Sequence, residues 1–296
     1  MSTPEPDPSR SKEPKNQAGI KPEGQKRKKS PHRSAGVRQY YDTYANRYDA
    51  DYAKPFWKLY DDITWHFTEP YLPAEISATI LDIGGGTAKW AVKVAQLGYY
   101  VICGDISEGM LAVAREKVEA LQLQELIEVK TLDIRDLSEY ADNSFPLVLA
   151  LGDVISYAID DDLAVGELFR VCEPGGYCVA SVDNKLTYIV NEVNYDHLER
   201  IEPLLENGIS HFFKLHSLKA YFPRELDALF TRHGFVTQKV IGKPVLANVI
   251  TKKRRDEKLI PNYDLFLRLE LQLAADPAFA GHGGHLQIIA RKPPPN

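Results

Sequence analysis

Cysteine is scarce in this chain of 296 residues, which has only Cys103, Cys172 and Cys178. The three are scattered and show no CxxC spacing, so neither a zinc site nor a disulfide framework is expected. All three fall in segments that we predict as strands or strand edges. This usage is typical of buried thiols in a reducing compartment.

Long apolar runs are also missing. The chain has no run of 18 apolar residues, so we expect neither a membrane span nor a membrane partner. Its N-terminus lacks the apolar h-region of a signal peptide. We therefore expect a cytoplasmic protein.

The first 35 residues have almost no large apolar side chains and are rich in Pro, Ser, Lys and Glu. They bury too little surface to fold, so residues 1–35 are predicted to be a disordered basic tail. Its cluster from Lys26 to Lys29 fits a solvated tail, a localisation signal or a contact to nucleic acid. From Met1 to Ser34 there are nine Lys/Arg and four Asp/Glu, which leaves 27 basic and 37 acidic residues in the remainder. Because such an acidic body repels phosphate, nucleic acid is not an expected partner.

A glycine-rich turn is the most informative segment that is present. Residues 80–90 read Ile-Leu-Asp-Ile-Gly-Gly-Gly-Thr-Ala-Lys-Trp, and a helical pattern follows with Trp90, Val94 and Leu97 on one face. The pattern predicts a buried strand that turns sharply into a helix, where the bare backbone lets a ligand approach closely. Free N–H groups at such a helix start suit an anionic group.

A second acidic residue, Asp105, follows the glycine-rich turn at the spacing expected of a ribose-binding acid. Asp105 ends the apolar run 99–104, about 20 residues beyond the glycines, where an acid accepts hydrogen bonds from two ribose hydroxyls. The alternative is that Asp105 caps the helix that starts near Ser107. A dinucleotide fingerprint would place its third glycine where this chain has Lys89 or Trp90, so a dinucleotide site is not expected.

The ordered set of motifs resembles the class I S-adenosylmethionine-dependent methyltransferases. Asp82, Gly84 and Gly86 form the acid-x-Gly-x-Gly pattern of motif I, although Ala88 stands where the family usually has a further glycine. Three further segments match in order: the strand end at Asp133, the fourth-strand motif at 144–153, and the helix, turn and strand at 167–176. The resemblance covers roughly residues 39–240, with the last strand at 286–291.

The resemblance implies an α/β fold, with a Rossmann-like doubly wound seven-stranded sheet whose last strand is antiparallel and helices on both faces. One methyltransferase domain is expected over residues 36–296. Cap insertions are expected at about 184–218 and 242–284, where the chain is longer than the core needs. The first leaves from the carboxyl end of a strand, so it is the expected substrate cap. The predicted strands are 79–83, 99–104, 126–130, 146–151, 177–182, 235–240 and 285–291.

The family uses S-adenosylmethionine, so the resemblance implies this cofactor and an enzyme that transfers a methyl group. Aromatics at positions 37–48 have helical spacing, and the segment resembles the lid helix that precedes motif I in small-molecule methyltransferases. Tyr48 is our choice for the aromatic that closes over the cofactor, with Tyr41 as the alternative. The expected cofactor-binding residues are Tyr48, Asp82, Gly84, Gly85, Gly86, Asp105, Ile106, Asp133, Ile134 and Leu151.

A nucleophile that carries a proton requires a base near the transferred methyl group. The candidates are Asp153 and Tyr157 beyond the fourth strand and His211 and His216 in the first cap. Helix capping competes as the role of Asp153, and a structural role competes for each histidine. No metal site is expected, since the consecutive acids Asp160 to Asp162 point in different directions and fit a helix start. The segment from His282 to His285 is interpreted as a flexible loop rather than as a ligand pair.

Three functions remain open from the sequence. The first is methyl transfer to an O, N or C nucleophile of a small molecule, expected to be aromatic or natural-product-like. The second is a nucleic-acid or protein methyltransferase that uses the basic tail and Lys252 to Arg255. It lacks support from a base-flipping Asn-Pro-Pro-Tyr motif, because residues 151–154 read Leu-Gly-Asp-Val. The third is a non-catalytic partner subunit that binds the cofactor. The acceptor and the oligomeric state are not determined by the sequence.

Overall fold

The computed structural model describes residues 31–212 and 216–295, with the backbone alone at 31–34, 211, 212 and 216. The predicted tail, residues 1–35, lies outside the described part except for its last five residues. Those five are helical, because the first helix begins at Pro31.

Nine strands are described, of which seven form the central sheet and two a separate hairpin. In chain order they are β1 (Thr79–Ile83), β2 (Tyr100–Asp105), β3 (Ile127–Thr131), β4 (Phe145–Ala150), β5 (Cys172–Asp183), β6 (Ile209–Phe212), β7 (His216–Lys219), β8 (Val236–Lys243) and β9 (His285–Arg291).

The sheet has the order β3-β2-β1-β4-β5-β9-β8. Strands β1 to β5 pair in parallel, and β9 is antiparallel to both of its neighbours, β5 and β8. The predicted seven-stranded, Rossmann-like sheet with an antiparallel last strand is confirmed. Strands β1 to β3 are added toward one edge of the sheet and β4 and β5 toward the other, although all five are parallel. At this switch point between β1 and β4, a crevice opens beyond the carboxyl ends of the two strands.

Helices cover both faces of the sheet. One face packs against residues of α5, α6 and α9, including Ile155, Val165 and Leu226. The other packs against α2, α3, α4 and α11, for example at Ile63 and Val94. The helices are α1 (Pro31–Tyr52), α2 (Pro55–His66), α3 (Lys89–Ala95), α4 (Glu108–Ala120), α5 (Val154–Ala158), α6 (Asp161–Val171), α7 (Lys185–Asn194), α8 (Ile201–Asn207), α9 (Pro223–Arg232), α10 (Lys252–Leu259) and α11 (Tyr263–Ala275).

The two long insertions have different roles in the fold. The first contains α7, α8 and the β6–β7 hairpin, and it follows directly on the carboxyl end of β5. The second contains α10 and α11, which pack on α2. There the Tyr263 hydroxyl donates a hydrogen bond to Asp62 at 2.7 Å. The second insertion therefore holds α2 in place. Among the described helices, none is long and apolar enough to cross a membrane.

Candidate functional site

The turn after β1 has a geometry that only glycine accommodates. The amides of Gly84 and Gly85 donate to the Gly104 carbonyl at 2.7 and 3.0 Å, which ties the turn to β2. Gly84 has a φ of +72°, and a Cβ placed on it would lie 2.6 Å from the Cβ of Val154. Because the turn has no side chains on this side, its backbone forms part of a cleft wall.

Asp82 supports this turn from behind. Its side chain is completely buried and accepts a hydrogen bond from the Ala91 amide at 3.1 Å. Burial raises the pKa of its carboxyl group to about 7. The structure therefore places Asp82 inside the fold, away from the cleft wall where we expected a cofactor contact.

Asp105 lies at the tip of β2 and faces the cleft. Its two carboxylate oxygens accept hydrogen bonds from the amides of Gly86, at 3.0 Å, and Ser107, at 2.9 Å. Burial raises the pKa of Asp105, and the backbone hydrogen bonds oppose that rise. The N-cap of α4 is Ser107, whose hydroxyl accepts from the Met110 amide at 3.2 Å. Asp105 therefore does not itself cap α4.

We call the cleft at these strand ends the strand-edge cleft. Asp133 lines it and is held by a bidentate ion pair with Arg135, at 2.9 and 2.6 Å. The structure brings together in this wall most of the residues that we predicted as cofactor contacts. They are Tyr48, Gly84, Gly86, Asp105, Ile106, Asp133 and Ile134.

Helix α1 closes one side of the cleft and is attached to the core at two acids. Asp42 accepts hydrogen bonds from the Ser107 hydroxyl at 2.7 Å and the Gly109 amide at 2.9 Å. Seven residues on, Asp49 accepts from the Thr87 hydroxyl at 2.6 Å and pairs with Lys117. These acids fix the rotation of α1. The aromatics that they place on the cleft wall are Tyr41 and Tyr48, our two candidates for the lid.

A second cavity adjoins the glycine turn, and we call it the aromatic chamber. Three aromatic residues from α1 and α2, Tyr52, Trp57 and Tyr60, form much of its wall. Its polar part includes Asp61, whose carboxylate pairs with Lys89 at 2.7 Å. The predicted contacts Gly85 and Leu151 lie on this wall too. The sequence analysis missed these aromatic residues, although Tyr52 continues the stripe of α1.

Two of the four candidate bases reach the aromatic chamber. Asp153 lies on its wall with a φ of +55°, and its carboxylate is 3.0 Å from Nδ1 of His285. Tyr157 also lies on the wall, with its ring 6.0 Å from that of Tyr41, and burial raises its pKa well above the usual value. The other two candidates, His211 and His216, belong to the β6–β7 hairpin, and their side chains lie outside the described part of the chain.

Comparison with known proteins places this geometry in a family. A model of the methyltransferase domain matches residues 80–176. Demethylmenaquinone methyltransferase of Oceanobacillus iheyensis is 31% identical over 170 residues, which cover 53% of this chain and 69% of that protein. The chain belongs to the class I S-adenosylmethionine-dependent methyltransferases. It is therefore a methyltransferase that uses S-adenosylmethionine, as the resemblance implied.

More distant proteins show how varied the acceptors of this fold are. The tRNA 5-carboxymethoxyuridine methyltransferase of Escherichia coli O157:H7 is 22% identical over 217 residues, covering 72% of this methyltransferase and 80% of that one. The solved structure of the cyclase SpnF covers 88% of this chain and 96% of its own, with a TM-score of 0.60 and 17% identity. That likeness shows the fold alone. The relatives act on quinones and on tRNA, so they do not fix the acceptor of this methyltransferase.

The strand-edge cleft fits the cofactor of the family. Gly84 and Gly86 line the cleft without side chains, so ligand atoms can lie against their backbone. Acids stand at the tip of β2 and beyond β3, at Asp105 and Asp133. Such acids suit the hydroxyl and amino groups of a nucleoside, because a carboxylate accepts hydrogen bonds from both.

The sequence analysis also missed His285 of this methyltransferase. We gave residues 282–285 no role as ligands, and His285, where our last predicted strand begins, is the first residue of β9. Because β9 runs antiparallel to β5, its first residue lies beside Asp183, the last residue of β5. An antiparallel last strand therefore begins at the edge where the ligand sites lie, and this was the signal available in the sequence.

Proposed function

We propose that this methyltransferase modifies a small-molecule acceptor that binds in the aromatic chamber. The observation that carries the proposal is the chamber itself. Its wall combines the aromatic side chains of Tyr52, Trp57 and Tyr60 with the carboxylates of Asp61 and Asp153, and an apolar lining with a few polar groups is typical of small-molecule sites. Its described walls come from α1, α2 and the strand ends of one chain, and it shares Tyr41, Tyr48 and Gly84 with the strand-edge cleft.

In this proposal the strand-edge cleft holds the nucleoside part of the cofactor. Asp105 accepts hydrogen bonds from the ribose hydroxyls and Asp133 from the adenine amino group, while Ile106 and Ile134 contact the adenine ring. Tyr48, with Tyr41 beside it, covers the methionine end next to the chamber. S-adenosylmethionine, when bound, supplies an electrophilic methyl group, and the protein contributes position and the removal of water.

The chamber wall favours an acceptor with an aromatic or apolar body. The rings of Tyr52 and Trp57 lie 4.5 Å apart, and those of Trp57 and Tyr60 lie 5.6 Å apart. They form a continuous surface on which a flat apolar group packs favourably. Asp153 and Asp61 lie on the same wall and can accept hydrogen bonds from an O–H or N–H of the acceptor.

A tRNA acceptor is the second candidate. It is favoured by the 22% identity to a tRNA methyltransferase over 217 residues and by the exposed basic residues Lys252, Lys253 and Arg254 on α10. A tRNA substrate needs such phosphate contacts, and its binding would weaken steeply with salt. A small acceptor inside the chamber needs no phosphate contacts, and its binding should not weaken steeply with salt.

The experiment measures transfer of labelled methyl from S-adenosylmethionine to a panel of phenols, amines and quinols and, in parallel, to bulk tRNA. Trp57→Ala is expected to raise KM for the small acceptor by about tenfold or more, because an aromatic contact is removed. Affinity for S-adenosylhomocysteine should not change. Trp65→Ala is the matched control, since Trp65 lies on the same helix but packs against Trp90.

Charge reversal of Lys252, Lys253 and Arg254 to Glu tests the second candidate. We expect no change in activity on the small acceptor. Methylation of tRNA by the wild type, lost in the reversed variant and at high salt, would replace the small-molecule proposal with the tRNA one.

A further inference from the structure

Three adjacent strands bring ionisable side chains into one row at the edge of the aromatic chamber. His285 of β9 is paired with Asp183 of β5 on one side and with Lys243 of β8 on the other. Directly opposed residues of antiparallel strands lie on the same face of the sheet. His285 therefore stands between an acid and a base, on a strand that enters the sheet at this edge.

Asp153 completes the group from the start of α5. Nδ1 of His285 lies 3.0 Å from Oδ2 of Asp153 and 3.8 Å from Oδ1 of Asp183. The exposed side-chain fractions are 17% for His285, 13% for Asp153 and 6% for Asp183. A histidine that bridges two buried carboxylates can share a proton with either of them.

The same carboxylates retain unused capacity to accept hydrogen bonds. Oδ1 of Asp153 and Oδ2 of Asp183 are buried and have no hydrogen-bond partner among the described residues. Asp183 is otherwise held firmly: its Oδ1 accepts from the Tyr188 hydroxyl at 3.0 Å, and its amide donates to Ser156. Buried polar atoms left open beside a cavity are unusual and point to a functional role.

The charges around His285 favour its protonated form. Burial lowers its pKa, but Asp153 and then Asp183 outweigh that effect, so the pKa of His285 is raised. Burial raises the pKa of Asp183 to about 7 and lowers that of Lys243 to about 7. Lys243 donates to Thr64, Ser181 and Gln287 rather than to the two acids. The titratable groups that face His285 are Asp153, Asp183, Lys243 and Tyr60, with Tyr188 behind Asp183.

Backbone strain at Asp153 supports a role in the site. Its φ of +55° is uncommon for a residue with a side chain, and it places the carboxylate on the chamber wall beside Gly84 and Tyr157. Such strain is retained where the surrounding structure holds it, often at active sites.

We propose that Asp153, His285 and Asp183 act as one proton-accepting unit, which rests on the function proposed above. Asp153 is the member that meets the acceptor and takes its proton. As the nucleophile forms its bond to the methyl carbon, the bond from that carbon to sulfur breaks and its electron pair stays on sulfur. The nucleophile's proton passes to Asp153. His285 is a positioning residue: it holds Asp153 in place at 3.0 Å, and its positive charge favours the ionised form of Asp183.

The central variant is His285→Asn. The Asn side chain can still contact Asp153, but it carries no charge. Without the neighbouring cation Asp183 retains its proton to higher pH, so the acid limb of the kcat profile should move to higher pH. KM and the affinity for S-adenosylhomocysteine should change little. The matched control is His282→Asn, three residues earlier and exposed, which should leave the profile unchanged.

A second measurement needs no acceptor. Nuclear magnetic resonance of the ring nitrogens in the full chain with S-adenosylhomocysteine follows the titration of His285, identified by its absence in His285→Asn. We expect a protonated ring at pH 7, and a lower pKa of His285 in Asp153→Asn. A neutral ring at pH 7, or a pKa of His285 that is unchanged in Asp153→Asn, overturns the proposal.

The kinetic profile is measured with whichever acceptor the wild type methylates, so failure of this inference is distinct from failure of the small-molecule proposal. Turnover of tRNA alone would refute the small-molecule proposal, while His285→Asn would still test the proton-accepting unit. An unchanged acid limb in His285→Asn overturns the inference. Activity that chelation abolishes and Mg²⁺ restores also overturns it, because the carboxylates would then hold a cation.

Discussion

The Gly86 amide donates a hydrogen bond to an Asp105 carboxylate oxygen at 3.0 Å, which joins the glycine turn to the tip of the next strand. The other oxygen accepts from the Ser107 amide at 2.9 Å. Two backbone donors thus fix the carboxylate before any ligand arrives. Each oxygen still has a lone pair that can accept from a ribose hydroxyl.

Asp105→Ala should weaken the binding of S-adenosylhomocysteine by about 10- to 150-fold, because hydrogen bonds to a charged group contribute about 1.5–3 kcal/mol. Asp105→Asn keeps an acceptor for one amide, so its affinity should fall between those of Asp105→Ala and wild type. Calorimetric titration of both variants and of wild type measures the change. The exposed Asp264→Ala is the control. Equal affinity in Asp105→Ala and wild type would remove the ribose role of Asp105.

Gly84→Ala should abolish cofactor binding while the fold is kept. The added methyl would lie 2.6 Å from the Val154 Cβ, at a φ of +72°, so the turn must move where the ligand lies. Gly166→Ala is the control, since its nearest neighbours would be 3.6 Å away. Within helix α6 that change should stabilise the protein by roughly 0.5–1 kcal/mol. Wild-type affinity in Gly84→Ala, measured by calorimetry with circular dichroism for the fold, would contradict our interpretation of the turn.

Replacing both anchors of α1, as Asp42→Ala with Asp49→Ala, should release the helix from the cleft. Asp42 accepts from the Gly109 amide at the start of α4, and loss of such a cap costs about 1 kcal/mol. Asp49→Ala also removes the contacts to the Thr87 hydroxyl and Lys117. Affinity for S-adenosylhomocysteine should then fall by roughly tenfold or more. Amide hydrogen exchange of α1 should rise in the same variant. Asp51→Ala, which loses only contacts local to the end of α1, should change neither quantity.

The core fold was predictable because its signals are local. Apolar runs, turn glycines and acids at strand ends each report on a few consecutive residues, and the seven predicted strands correspond to those of the sheet. The wall of the strand-edge cleft was predictable for the same reason. Asp105 and Asp133 follow their strands directly, so the carboxyl ends of parallel strands bring them together.

The acid–base group was not predictable in this way. Asp153 and Asp183 follow β4 and β5, but His285 begins a strand whose direction is reversed. Its position depends on pairing between segments far apart in the chain, to which local periodicity is blind. The burial of Asp82 was not predictable for a related reason. Its motif position indicated a ligand contact, whereas its burial follows from how α3 packs over the turn.

Asp82 also gives a prediction on stability and pH. In the folded protein its pKa is raised from 3.8 to about 7, first by burial. Between these two values the folded state holds a proton that the unfolded chain has released, so this group's contribution to the free energy of unfolding falls as pH rises from about 4 to 7. Asp82→Asn cannot ionise and keeps an oxygen for the Ala91 amide. Its free energy of unfolding should therefore decline less over this interval than that of wild type, and it should be the more stable protein at pH 8.

Urea titrations at pH 4, 5.5, 7 and 8 measure the difference, with Asp264→Asn as an exposed control. Parallel curves for Asp82→Asn and wild type would show that Asp82 is ionised throughout, and its buried oxygen would then need a donor that stabilises the charge.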